Sequence, residues 1–237
     1  MRPLPQRPVL PNTTQAKLKT ATSRICRSAD QKSTAAKVFR AARRTGWFAP
    51  VVRALGRMTG EGQPCMFCDS NEASDVDHFR PKAMFPQLAL TWENFLWTCG
   101  VCNRAKGDSF PQDTQGRLIN PVDENAWDFF FLDEFGNLTP LWRQAEQQLD
   151  RRAVSTCDLL KLNRQTLQQR RHRRLRQLHR SVLDVLELHR TNRIKLTELR
   201  QRVEAWRTEP FQADVADYFL RGPGHSQSPF AELIRLL

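Results

Sequence analysis

Cys65-Met66-Phe67-Cys68 and Cys99-Gly100-Val101-Cys102 are two C-x2-C pairs with 30 residues between them, and inside that interval runs Asp75-Val76-Asp77-His78-Phe79-Arg80-Pro81-Lys82. A two-residue gap lets both sulfurs of a knuckle face one ion. Four thiolates match the tetrahedral preference of zinc and leave no open position. The spacing therefore predicts a structural zinc site on Cys65, Cys68, Cys99 and Cys102. Such an ion contributes on the order of 10 kcal/mol to a small unit with few apolar residues. Four unrelated buried thiols are the plainer alternative, and two matched pairs argue against it. Cys26 and Cys157 lie outside the pattern in helix-like segments and are expected to be small buried side chains.

Around this centre the chain is basic and helical. Its 237 residues carry a net charge of +12. Residues 1–60 hold 13 basic side chains and one acidic, residues 61–140 hold 5 and 13, and residues 141–200 hold 15 and 6. Acids gather where a divalent cation is held, and bases where a polyanion is gripped or where a helix face is merely solvated. No run of 18 apolar residues predicts a membrane span, and the N-terminus lacks the apolar core of a secretory signal. A cytoplasmic location is expected, where cysteines serve as ligands or buried thiols more than as disulfides.

The composition divides the chain into three: a basic N-terminal arm and helices over 1–62, a turn-rich α+β core over 63–140, and a basic helical region over 141–237. Residues 1–12 contain four prolines and read as an extended arm. Trp127 to Leu132 reads as a short strand, with Gly136-Asn137 as a hairpin turn. Leu175, Leu178, Val182, Val185 and Leu186, then Ile194, Leu196, Leu199, Val203 and Trp206, recur at helical spacing on either side of Thr191-Asn192. They predict two amphipathic helices with arginine-rich polar faces. His172, His179 and His189 fall within this pattern and are expected on helix surfaces or in the core.

From Cys65 to about Pro111 the order Asp77-His78, Asn94, then Cys102-Asn103-Arg104-Ala105-Lys106 resembles the HNH endonuclease family in its four-cysteine zinc form. The resemblance implies a ββα-metal core: Asp77-His78 at the end of a first strand, Trp92 to Trp97 in the second strand and its approach, and Cys102-Asn103 opening a helix. It implies an α+β fold, with a small zinc-stapled core flanked by N-terminal helices and a long helical C-terminal region.

The implied chemistry is metal-dependent hydrolysis of DNA phosphodiester bonds. His78 is the expected general base, because its unperturbed pKa lies near working pH. Asp77 and Asn103 offer hard oxygen ligands for Mg2+ or Mn2+. Asn94 is expected to orient the loop that carries the histidine. Arg80, Lys82, Arg104 and Lys106 are expected to hold phosphates, with Lys106 the strongest by its place in the motif. Arg171, Arg173 and Arg174 are expected to track a DNA backbone by charge alone. Asp75 is read either as support for the metal ligands or as a solvated side chain.

Trp47, Ile119-Asn120-Pro121 and Leu160-Lys161-Leu162-Asn163-Arg164 extend the likeness beyond the core. They are similar to the HNH subunits of Septu-type and retron-associated anti-phage systems. That likeness implies an antiviral role and an SMC/ABC-type ATPase as partner subunit. Two other readings compete. One is a non-catalytic zinc-ribbon protein that binds nucleic acid. The other is an interaction subunit whose cleavage is silent until its partner acts.

Overall fold

The computed structural model describes residues 4–111, 116–208, 213–220 and 222–237. The chain divides into two compact units, Leu4–Glu124 and Asn125–Leu237.

In the first unit three helices come before the cysteine pairs: α1 (Asn12–Cys26), α2 (Gln31–Ala42) and α3 (Ala49–Met58). The Asp30 carboxylate caps α2 by accepting the Ser33 N–H at 3.0 Å. Such a cap contributes about 1 kcal/mol. Ala35, Val38, Phe39 and Ala42 give α2 one buried face, and Val51, Leu55 and Met58 do the same for α3. An antiparallel hairpin follows, β1 (Ala73–His78) with β2 (Phe95–Cys99), and then α4 (Gly100–Lys106). The register runs from Ala73 opposite Cys99 to His78 opposite Phe95, with an irregularity between Ala73 and Asp75. Every residue of β2 is buried. The rings of Phe39, Phe48 and Phe95 meet at centroid distances of 5.6 to 6.0 Å and bind helices to hairpin.

The N-terminal arm is held to the hairpin chiefly through Arg7, and the Trp92 indole N–H donates to Pro8 O at 3.2 Å. Arg7 donates from Nη1 to the Trp92 carbonyl at 3.2 Å and from Nη2 to the Phe95 carbonyl at 2.8 Å. The helices of residues 12–58 and the HNH-like hairpin thus share a unit, whereas composition alone separates them at residue 62.

The second unit opens with two small hairpins, β3 (Phe130–Leu132) with β4 (Leu138–Pro140), and β5 (Trp142–Arg143) with β6 (Gln148–Leu149). Five helices follow: α5 (Arg151–Leu159), α6 (Gln165–Arg190), α7 (Leu196–Thr208), α8 (Ala213–Leu220) and α9 (Phe230–Leu236). The helical pattern expected from Leu141 therefore begins at Arg151, where Asp150 caps α5 by accepting the Ala153 N–H at 2.9 Å. Leu167, Leu178, Val182, Val185 and Leu186 of α6 are buried, as are Leu199, Val203, Tyr218, Phe219, Phe230 and Leu233. Among the described residues no helix is long and apolar enough to cross a membrane.

Candidate metal and nuclease centre

The four cysteine ligand atoms lie within 4.8 Å of one another, and all four side chains are buried. None forms a disulfide. Cys65 and Cys68 sit in a tight turn where Cys65 N–H reaches Ser70 O at 2.7 Å and Asp69 N–H reaches Cys65 O at 2.8 Å. Asp69 adopts a positive φ of 56° to close that turn. The turn is pinned to β2 by Met66 N–H on Trp97 O at 2.9 Å. Cys99 ends β2 and caps α4, its sulfur accepting the Cys102 N–H at 3.4 Å.

The Cys68 and Cys99 sulfurs are 3.7 Å apart. Four Zn–S bonds of about 2.3 Å at tetrahedral angles put sulfurs about 3.8 Å apart. Hydrogen bonds from the neighbouring thiols, Cys102 first, pull the Cys68 pKa down to about 6. Burial pushes that of Cys65 well up. The set fits structural zinc.

At the other end of the hairpin lie Asp77 and His78. Asp77 is buried. Its Oδ1 accepts the His78 N–H at 2.7 Å. Its Oδ2 is buried without a hydrogen bond, and the Lys106 ammonium stands 3.4 Å away. Burial raises the Asp77 pKa and lowers that of Lys106, each opposed in part by the charge of the other. Lys106 reaches inward from the last turn of α4. Asn103 stands one turn earlier, at i−3, and so on the same side of the helix. A buried carboxylate oxygen without a hydrogen-bond donor is a hard oxygen ligand suited to Mg2+ or Mn2+.

The His78 imidazole is 2 % exposed. Its Nε2 lies 2.9 Å from the Ala89 carbonyl. A carbonyl only accepts, so Nε2 carries the proton and Nδ1 keeps the lone pair. The Phe39 ring packs edge-on at 4.4 Å and Phe95 at 5.5 Å. Burial pushes the imidazole pKa down to about 3, and the charges of Lys82, Lys106 and Arg43 add to the effect. The ring is therefore neutral near pH 7.

Asn94 grips the loop that leaves His78. Its Oδ1 accepts the Arg80 N–H at 2.8 Å, and its Nδ2 donates to Arg80 O at 3.0 Å and Leu88 O at 3.1 Å. The Phe79 N–H adds a bond to Asn94 O at 2.8 Å.

The basic residues divide by placement. Arg80 and Arg104 are exposed, and Arg80 lies over the Phe85 ring at 5.8 Å. Lys82 lies over Phe39 at 5.8 Å, and its charge acts on His78. Lys106 is 1 % exposed. Its ammonium donates to Gly107 O at 3.3 Å and stands 3.4 Å from Asp77, so in this structure it is buried and not on a phosphate-facing surface. Arg171 and Arg174, in the other unit, are buried. The Arg171 guanidinium is spent on the carbonyls of Gly136 at 2.6 Å and Leu162 at 2.8 Å, which removes it from a DNA-facing surface. Arg173 is exposed. Asp75 pairs with Arg43 at 3.0 Å. Cys26 is exposed at the end of α1, contrary to expectation, whereas Cys157 is buried.

Phe39, Arg43 and Arg7 are the contributors that the motif did not reveal. They come from more than 30 residues upstream. Their only signal in the sequence is the apolar periodicity of α2, which marks Phe39 as inward-facing without naming its partner.

Residues 65–109 match the family model of the HNH endonucleases, and this segment is an HNH endonuclease domain. Over 122 residues the chain is 25% identical to the Septu protein PtuB of Bacillus thuringiensis, covering 49% of this chain and 43% of that one. Over 80 residues it is 30% identical to protein ea31 of Escherichia phage lambda, covering 33% of this chain and 26% of that one. The chain thus spans less than half the length of each of these relatives.

Proposed function

We propose that this protein is a metal-dependent endonuclease that hydrolyses DNA phosphodiester bonds. The observation that carries the reading is the buried carboxylate of Asp77, with one oxygen lacking a hydrogen-bond donor, on the strand that also bears His78 and opposite the helix that bears Asn103. In the reaction His78, held as the neutral Nε2–H tautomer by Ala89 O, takes the proton of the attacking water on Nδ1. Asp77 and Asn103 would hold the divalent cation. That ion supplies positive charge to the leaving 3′ oxygen. Lys82 and the exposed Arg80 and Arg104 draw the phosphate in by charge. The expected products carry 5′-phosphate and 3′-hydroxyl ends. The resemblance to a Septu protein extends this to a role in anti-phage defence alongside a partner ATPase.

A specific observation favours a gated form of this activity. Asp77, His78 and Lys106 are all buried, and the Lys106 ammonium faces the carboxylate that the metal requires. Cleavage that waits for a partner or substrate to open the site agrees with that burial.

The test is plasmid relaxation by the purified protein with Mg2+ or Mn2+, with and without its co-purifying partner. His78→Ala is expected to abolish cutting while zinc content and fold stay intact, with the melting temperature lowered by the loss of a ring buried against Phe39 and Phe95. Cutting by that variant at the parent rate would remove the catalytic assignment.

A further inference from the structure

In the second unit, the turn of the β3–β4 hairpin presents a phenylalanine to solvent. Phe135 is 65 % exposed. The turn beneath it is firmly held. The Asp133 Oδ1 accepts the N–H groups of Phe135 at 3.0 Å and Asn137 at 2.7 Å, and its Oδ2 accepts the Asn137 Nδ2 at 2.7 Å. Three residues of α6 then hold the turn. Arg171 donates to Gly136 O, His172 Nδ1 donates to Glu134 O at 2.7 Å, and Gln168 bonds the Asn137 side chain. Gly136 has φ +86°, and a Cβ there would meet the α6 backbone, with His172 N 2.8 Å away. A side chain on so fixed a base loses little entropy when something stacks on it.

Beside Phe135 the polar face of α6 is purely cationic. Residues 165–183 contain no acid. Arg173, Arg176 and Arg180 follow one another along one exposed helix face, and none forms an ion pair with a described residue. A hollow of about 390 Å³ lies between turn and helix, lined by Glu134, Phe135, His172, Leu175, Arg176 and His179, with Arg180 at its edge. Arg176 and Arg180 are one helical turn apart, about 6 Å along the axis. Glu134 sits on the hairpin side and repels phosphate there, so a polyanion is steered onto the helix.

We propose that this hollow binds an unpaired nucleotide of single-stranded nucleic acid, with the base on Phe135 and the flanking phosphates on Arg176 and Arg180. A planar apolar face next to unpaired guanidinium groups is the combination that single strands require, because their bases are free to stack. A duplex hides its base faces and engages only the arginines. The site lies in the second unit and does not depend on the proposed cleavage centre in the first.

The experiment is fluorescence anisotropy with a labelled oligothymidylate and with a duplex of equal length. It uses the full chain carrying His78→Ala, without added magnesium, so that failure of the nuclease reading leaves the measurement intact. Duplex binding is expected to be unaffected by Phe135→Ala. Phe135→Ala is expected to weaken single-strand binding about 5- to 150-fold. Phe135→Trp is expected to retain it, and the exposed position leaves the melting temperature unchanged. Arg176→Ala and Arg180→Ala are each expected to lower the slope of log K against log salt by about 0.7. Oligothymidylate binding that is unaffected by Phe135→Ala, or a Phe135→Ala loss equally large for the duplex, overturns the proposal.

Discussion

Replacing Lys106 with methionine keeps the aliphatic stem and deletes the ammonium, and its cost follows from the surroundings. The side chains of Lys106 and Asp77 are 1 % and 8 % exposed, so water does not replace the lost partner. Removing one member of a buried pair costs about 3–5 kcal/mol, because the other charge is stranded. Two features place the cost at the lower end. The 3.4 Å separation exceeds the ~2.7–2.9 Å of a charge-assisted bond. Burial also moves the pKa of Asp77 up and that of Lys106 down, so desolvation already outweighs much of their attraction. About 3 kcal/mol corresponds to a fall of roughly 12 °C in the melting of a unit this size.

The sign of the pH dependence is also fixed. Without the lysine, Asp77 binds a proton more readily folded than unfolded, so the folded state gains stability as pH falls. The variant's deficit is therefore expected to narrow as pH falls toward the ordinary carboxylate range, about 4. Adding Asp77→Asn to the same chain removes the stranded charge and is expected to recover most of the loss. Calorimetry on the parent, both single variants and the double variant closes the cycle. A Lys106→Met protein that melts with the parent, or a loss that persists in full beside Asp77→Asn, would refute the pairing.

The other structural predictions separate groups that look alike in the sequence. Cys99→Ser is expected to lose zinc, measured by atomic absorption, and to leave the first unit unfolded, since structural zinc carries on the order of 10 kcal/mol. Asn94→Ala strands Arg80 N–H, Arg80 O and Leu88 O and is expected to cost about 2–4 kcal/mol in denaturant titration. Its cutting rate is expected to fall by more than its affinity for DNA. Arg171→Ala is expected to destabilise the second unit by about 3 kcal/mol, whereas Arg173→Ala is expected to stay within about 0.5 kcal/mol of the parent. Equal melting of those two variants would mean that the Arg171 contacts to Gly136 and Leu162 contribute nothing.

The sequence carried the zinc knuckles and the strand–strand–helix order well, because ligand spacing and the Asp77-His78 and Cys102-Asn103 dipeptides are local signals. Hairpin turns at Gly136 and helix breaks at Thr191-Asn192 are local in the same way, and the structure has its breaks there. Side-chain direction was not legible. Arg171 and Arg173 differ by two positions, about 200° around a helix, and nothing in their composition says which one turns inward. Lys106 reads as a surface cation until the strand opposite is known to put Asp77 within reach. Trp142 to Leu149 lies within the region that the sequence reads as helical from Leu141, and its Arg, Gln, Ala and Glu residues favour a helix. Pairing of Trp142 with Leu149 overrides that local preference.

The hairpin register gives the two clamps on this centre unequal roles. The cysteine cluster closes the end where Ala73 faces Cys99, and the Asn94 side chain closes the end where His78 faces Phe95. Asp77 and His78 occupy the last two rungs on the Asn94 side. A phosphate must enter where these groups lie. That end is held by three hydrogen bonds of the Asn94 side chain, worth about 2–4 kcal/mol together, by Arg7 on the Trp92 and Phe95 carbonyls, and by His78 Nε2 on Ala89 O. The far end is built for an ion that would contribute on the order of 10 kcal/mol. Local opening follows the weaker constraint. The gated form of the proposed nuclease therefore requires those hydrogen bonds over residues 79–94 to yield while the cysteine end keeps both strands in register.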